Sequence, residues 1–86
     1  MQVSQKIKRI LDNREKQYGS AKDNFTRIGI GWGAILGIDS IPPHIVALMY
    51  DFGKTIRCIA NPQIEDSWLD KIGYTEHGKE ISKYES

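Results

Sequence analysis

The chain has 86 residues, 40% of them hydrophobic, with 12 Lys and Arg against 11 Asp and Glu and a formal net charge of +1. A chain of that length holds one domain and buries only about 60–65% of the surface its unfolded form exposes, which leaves a marginal core. Cys58 is the one cysteine, so disulfides cannot supplement that core and a reducing compartment is expected, while the interspersed charges exclude a general nucleic-acid binder with its basic stripe.

Val3, Ile7, Ile10 and Leu11 recur at helical spacing and predict a first amphipathic helix from about Val3 to Gln17. Lys6, Lys8 and Arg9 are not followed by an apolar run, so no signal peptide is expected. No stretch nears the ~20 apolar residues that span a bilayer, and the expected location is the cytoplasm. In REKQYGSAKDNF, Gly19 is a helix stop and Ser20 caps a second helix, with Asp23 in the capping-box position. Phe25, Ile28, Trp32, Ile35 and Leu36 share one face of that helix. Gly29, Gly31 and Gly33 weaken it by roughly 1 kcal/mol each relative to alanine. The alternation in RIGIGWGAILGI also fits a strand, but no partner strand is visible, so helix is preferred and the glycines are read as sites of close helix packing.

LGIDSIPPH is a break in which Ser40 serves as a cap and Pro42 and Pro43 form a first helical turn. Ile45, Leu48, Met49, Phe52, Ile56 and Ile59 mark a long third helix to about Ala60, ended by Asn61-Pro62. A fourth helix opens at Asp66 or Ser67, runs through Trp68, Leu69, Ile72 and Ile81, and fades into a polar tail from about residue 82. The expectation is an all-α, compact bundle of about four helices over residues 1–86, with antiparallel neighbours. It is expected to associate as a homo-oligomer through apolar rows on the second and third helices.

Asp66, Asp70 and His77 fall on one side of the fourth helix, with Tyr74 at the edge. Two carboxylates a turn apart can share Mg2+ and leave positions for phosphate oxygens, although acids at this spacing are also common on solvated faces. Asp12 and Glu15 are a weaker acidic pair, flanked by Arg14 and Lys16, which suit ordinary surface ion pairing. Lys54 and Arg57, one turn apart in an apolar element, suit a phosphate, with arginine supplying a bidentate fork; the plainer alternative is snorkelling at the core's edge. Trp32 and Trp68 are core anchors first and base-stacking groups second. GIGWG lacks the spacing of a dinucleotide fingerprint, and Cys58, His44 and His77 have no zinc spacing.

REKQYGSAKDNF, PPHIVALM, KTIR and EDSWLDKIGYTEHGKEI, in that order over about residues 14–83, resemble an uncharacterised, phage-enriched family of small helical proteins. Its patterns include KQYGSFEDN, a Pro-His-Val-Ala helix with K-x-x-R, and D-S-W-x-D-x-x-G-Y. The resemblance points to Tyr18, Asp23, Asn24, Lys54, Arg57, Asp66, Trp68, Asp70 and Tyr74. If chain and gene are phage-borne, the cytoplasm is that of an infected host. More distantly, the pattern is similar to MazG-like all-α nucleoside triphosphate pyrophosphohydrolases, which hold Mg2+ with helix-borne carboxylates. Those enzymes use Glu-Glu-x-x-Glu and Glu-x-x-Asp, where this chain has only Asp12-x-x-Glu15 and Asp66-x-x-x-Asp70.

Three functions remain open on this reading. The first is a small non-catalytic protein that binds a nucleotide or cyclic nucleotide, for instance sequestering a signal of host defence. Tyr18 and Asn24 would meet the base or sugar, Lys54 and Arg57 the phosphate, and no cofactor is needed. The second is a Mg2+-dependent, MazG-like pyrophosphohydrolase using Asp66 and Asp70. The third is a protein–protein inhibitor module, which requires an exposed apolar patch.

Overall fold

The computed structural model describes Gln5, residues 7–9 and residues 20–85, and no strand occurs among them. Gln5 and residues 7–9 are helical, and three further helices follow: a glycine-rich helix, Ala21–Leu36; a central helix, Pro43–Ala60; and a C-terminal helix, Glu65–Ser82. The fold is all-α. None of the described helices is long and apolar enough to cross a membrane.

Ser20 caps the glycine-rich helix as its sequence position suggests, its Oγ accepting from the Asp23 backbone N–H at 3.1 Å. Gly37 ends it at φ 71°, a left-handed conformation that costs glycine nothing, and donates its N–H to the Ala34 carbonyl. Residues 28–36 are helical throughout, so the alternation in RIGIGWGAILGI does not form a strand.

The glycines do admit a close approach, chiefly of the returning loop and, at Gly29, also of the central helix, whose Val46 Cγ2 would lie 3.3 Å from an added Cβ. A Cβ at Gly33 would lie 2.6 Å from the Asp39 carbonyl oxygen, and one at Gly29 would overlap the Ile41 carbonyl oxygen. The Ile41 N–H in turn donates to the Gly29 carbonyl at 3.1 Å. Gly31 faces open space. Two residues of the expected apolar face, Ile35 and Leu36, lie beyond this contact and are exposed.

Ser40 does not cap the central helix. That helix starts after Pro42, which offers no side-chain acceptor, so its first N–H groups need a partner from elsewhere. Glu85 provides one: its Oε1 accepts from the His44 N–H at 3.2 Å, and its Oε2 contacts the His44 ring at Nδ1. A carboxylate also suits the positive end of the helix dipole. Asn61-Pro62 ends the helix as expected, and the C-terminal helix begins at Glu65, slightly earlier than its sequence suggests.

The central and C-terminal helices run antiparallel, because partners late in one meet partners early in the other: Lys54 with Asp70, Asp51 with Lys71 and Thr75, and His44 with Glu85. Gly78 lets the backbones close up, since a Cβ there would sit 3.3 Å from the Ala47 Cβ. The core is Phe25, Val46, Ala47 and Ile81, with Ile28, Trp32, Ile41, Tyr50 and Tyr74 packed around it. Trp32 therefore anchors the core, as expected. Trp68 does not: it is 45% exposed, and its Nε1–H donates to the Pro62 carbonyl at the start of its helix.

Candidate functional site

A groove of about 300 Å³ opens between the glycine-rich, central and C-terminal helices, lined by Trp32, Met49, Tyr50, Gly53, Lys54, Arg57 and Tyr74. That volume sits at the lower end for small-molecule sites and suits one aromatic ring with a polar extension. Met49, Tyr50, Gly53, Lys54 and Arg57 come from two successive turns of the central helix, where i, i+3 and i+4 side chains share a surface. Trp32 and Tyr74 arrive from the flanking helices.

The aromatic part of the lining is continuous. Tyr50 lies between Trp32 and Tyr74, with ring centroids at 5.7 and 5.2 Å and interplanar angles of 29° and 23°. Phe25 closes the stack from the core side at 5.8 Å from Tyr50. Offset stacking at these distances fixes the rings as a rigid wall.

The charged part is divided. Lys54 Nζ lies 2.9 Å from Asp70 Oδ2, and both side chains are about four-fifths buried, so most of the lysine's charge is already answered. Arg57 is exposed and joins no ion pair among the described residues. An incoming anion therefore meets Arg57 as the free cation and Lys54 as a cation shared with a carboxylate.

A second buried charge lies on the same helix interface. Asp51 accepts from Lys71 Nζ and Thr75 Oγ1, each at 2.5 Å. Burial opposes its ionisation, but the hydrogen bonds from Lys71 and Thr75 and the lysine's charge outweigh that, so its carboxyl is held below the ordinary carboxylate value.

Of the residues singled out from sequence, the groove brings together Lys54, Arg57 and Tyr74. Asn24 lies in the first turn of the glycine-rich helix and Trp68 at the start of the C-terminal helix, and neither lines the groove. Tyr18, Asp12 and Glu15 lie outside the described residues. Asp66 is exposed, Asp70 is engaged by Lys54, and no three His, Cys, Asp or Glu residues gather to hold a metal among the described residues. The second acidic pair proposed to share a Mg2+ ion with Asp66 and Asp70, Asp12 and Glu15, is not among the described residues. Sequence reasoning missed Met49, Tyr50 and Gly53, and ranked a ligand-facing role of Trp32 second to its place in the core. The spacing of Tyr50, Lys54 and Arg57 on one helix was the available signal.

Residues 2–82 match the family described as "Domain of unknown function (DUF6378)". The chain belongs to the DUF6378 family. It is also 35% identical over 65 residues to the Gene 55 protein of Mycobacterium phage L5, an alignment that takes in 76% of this chain and 42% of that protein. The DUF6378 chain thus spans less than half the length of this phage relative. No solved structure matches it.

Proposed function

We propose that this DUF6378 chain binds a nucleotide in the groove and holds it without hydrolysing it. The observation that carries this reading is one surface presenting both halves of a nucleotide's chemistry. The Trp32–Tyr50–Tyr74 wall offers π faces to a base, and Arg57 with Lys54 offers donors to phosphate. Stacking of a base on an aromatic side chain contributes about 1–3 kcal/mol, and a charge-assisted hydrogen bond to phosphate about 1.5–3 kcal/mol. The engagement of Asp70 by Lys54 supports the non-catalytic form over a MazG-like hydrolase. Similarity to a phage protein fits a setting in which a host-defence nucleotide or cyclic nucleotide is sequestered.

The test is a panel of mono-, di-, tri- and cyclic nucleotides read by melting temperature and titration calorimetry, with and without Mg2+. A ligand at a hundredfold excess over its Kd adds ~2.7 kcal/mol of stability. Arg57→Ala is expected to weaken binding roughly tenfold to a hundredfold, and Arg57→Lys to recover little, because lysine lacks the bidentate fork. Binding that survives Arg57→Ala unchanged overturns the assignment of this groove. Hydrolysis of a triphosphate in Mg2+ that is lost in Asp70→Asn establishes the enzyme instead.

A further inference from the structure

Along the central helix, Ile45, Met49, Phe52, Ile56 and Ile59 follow one another at alternating steps of four and three residues. That is the spacing of the seam along which two helices pack at a shallow angle. Here the seam faces solvent: all five side chains are exposed, Phe52 at 66% and Ile59 at 73%, and the neighbouring Leu48 is half exposed. The positions flanking it on the open side, Leu48, Gly53, Thr55 and Ala60, carry no charge. Asp51, Lys54 and Arg57 lie off the seam, the first two paired to the C-terminal helix.

We infer that this seam is a two-fold contact between two copies of the chain, central helix against central helix. Three observations favour a second copy as the occupant. An uncharged seam meets its own copy without like-charge repulsion, whereas a partner recognised by charge would find nothing to read. Phe52 stands at the midpoint, seven residues from both Ile45 and Ile59, so a two-fold axis through it brings Ile45 of one copy to Ile59 of the other. The seam and Leu48 expose on the order of 600 Å² of mostly apolar surface, the upper end for any patch on a monomer and close to the ~800 Å² per partner of a standard interface. Gly53 beside the seam leaves room for close approach, since nothing lies near its absent Cβ. The inference stands whatever the groove binds. Because Met49 belongs to both seam and groove, the second copy borders the groove.

Light scattering and a cross-link test the contact together. The full chain is expected at twice its monomer mass in the micromolar range, and Phe52→Lys at monomer mass with unchanged helical circular dichroism. In a Cys58→Ser background, Phe52→Cys is expected to oxidise to a reducible, covalent dimer, because the two-fold places residue 52 against its own copy. If Phe52→Lys fails to fold, the cross-link decides. A monomer mass for the full chain, a dimer mass that a folded Phe52→Lys keeps, or no cross-link at position 52 overturns the inference.

Discussion

The two sides of the central helix differ in an unexpected way. The buried side carries the smaller Val46, Ala47 and Cys58 together with the charges of Asp51 and Lys54, and the face turned to solvent carries the larger Ile45, Met49, Phe52, Ile56 and Ile59. Burying one large apolar side chain stabilises by about 1.5–3 kcal/mol, so the opposite orientation would be expected of an isolated two-helix contact. The inner face is tolerated because its charges meet opposite charges across the interface, and because Ala47 against Gly78 brings the backbones near enough for those pairs to form. An apolar stripe therefore identifies a helix without saying which way the stripe looks. Long-range pairing decides that, and a stripe left outside is then available to another chain.

The largest effect should come from breaking the inner face. Asp51→Ala removes a buried carboxylate and leaves the partly buried Lys71 and the exposed Thr75 without their acceptor, with an expected loss of about 3 kcal/mol. For a chain this size each kcal/mol moves Tm by about 4–8 °C, so a thermal melt resolves it. A change under ~0.5 kcal/mol would show that the charged face does not hold the helices together. Acid should reach the same contact. Because the folded Asp51 carboxyl lies below its ordinary value of 3.8, its contribution is fully present above that pH and is lost as pH falls through the lower, folded value. The stability gap between the unmodified chain and Asp51→Asn should thus narrow only on the acid side of 3.8; a gap that narrows near neutrality would contradict the assignment.

The glycine-rich helix offers a sharper, somewhat smaller version of the comparison. Gly29→Ala drives a methyl into the Ile41 carbonyl and should cost about 2 kcal/mol, while Gly31→Ala meets open space and should gain up to ~1 kcal/mol from helix propensity. Equal effects at the two positions would mean that the loop does not pack there. This pair also shows where legibility ended. Ser20, Asn61-Pro62 and the all-α pattern act within a few residues, and each could be read from sequence. The glycines were legible as sites of close approach, and Gly29 does meet the central helix at Val46, but their nearer partner was not, since the loop at Asp39–Ile41 becomes a neighbour only after the chain has turned. The cap on His44 comes from Glu85, 41 residues away, and no local pattern announces it. In the groove, Lys54, Arg57 and Tyr74 stood out by type and resemblance. Tyr50 did not, and Trp32 read as a core anchor before a stacking group, because a core aromatic becomes a wall only where the helices leave a gap. Asp70 read as half of an acidic pair on its own helix, and its ion pair with Lys54 exists only across two.

The smallest effect should be at the outer face. Ile59 is 73% exposed, so Ile59→Ser removes little packing, and the two residues differ little in helix propensity. Measured by denaturant at high dilution, where the chain is dissociated, its stability should stay within ~0.5 kcal/mol of the parent, as for an ordinary surface substitution. At concentrations that favour association the same variant should fall behind, since loss of one apolar side chain from a packed interface weakens dimerisation and, with it, the stability gained by mass action. The diagnostic is the concentration dependence: parental Tm rises with protein concentration and that of Ile59→Ser rises less. A loss as large at high dilution as in concentrated solution would mean that Ile59 packs within its own chain, and the contrast between the two sides would then be incomplete.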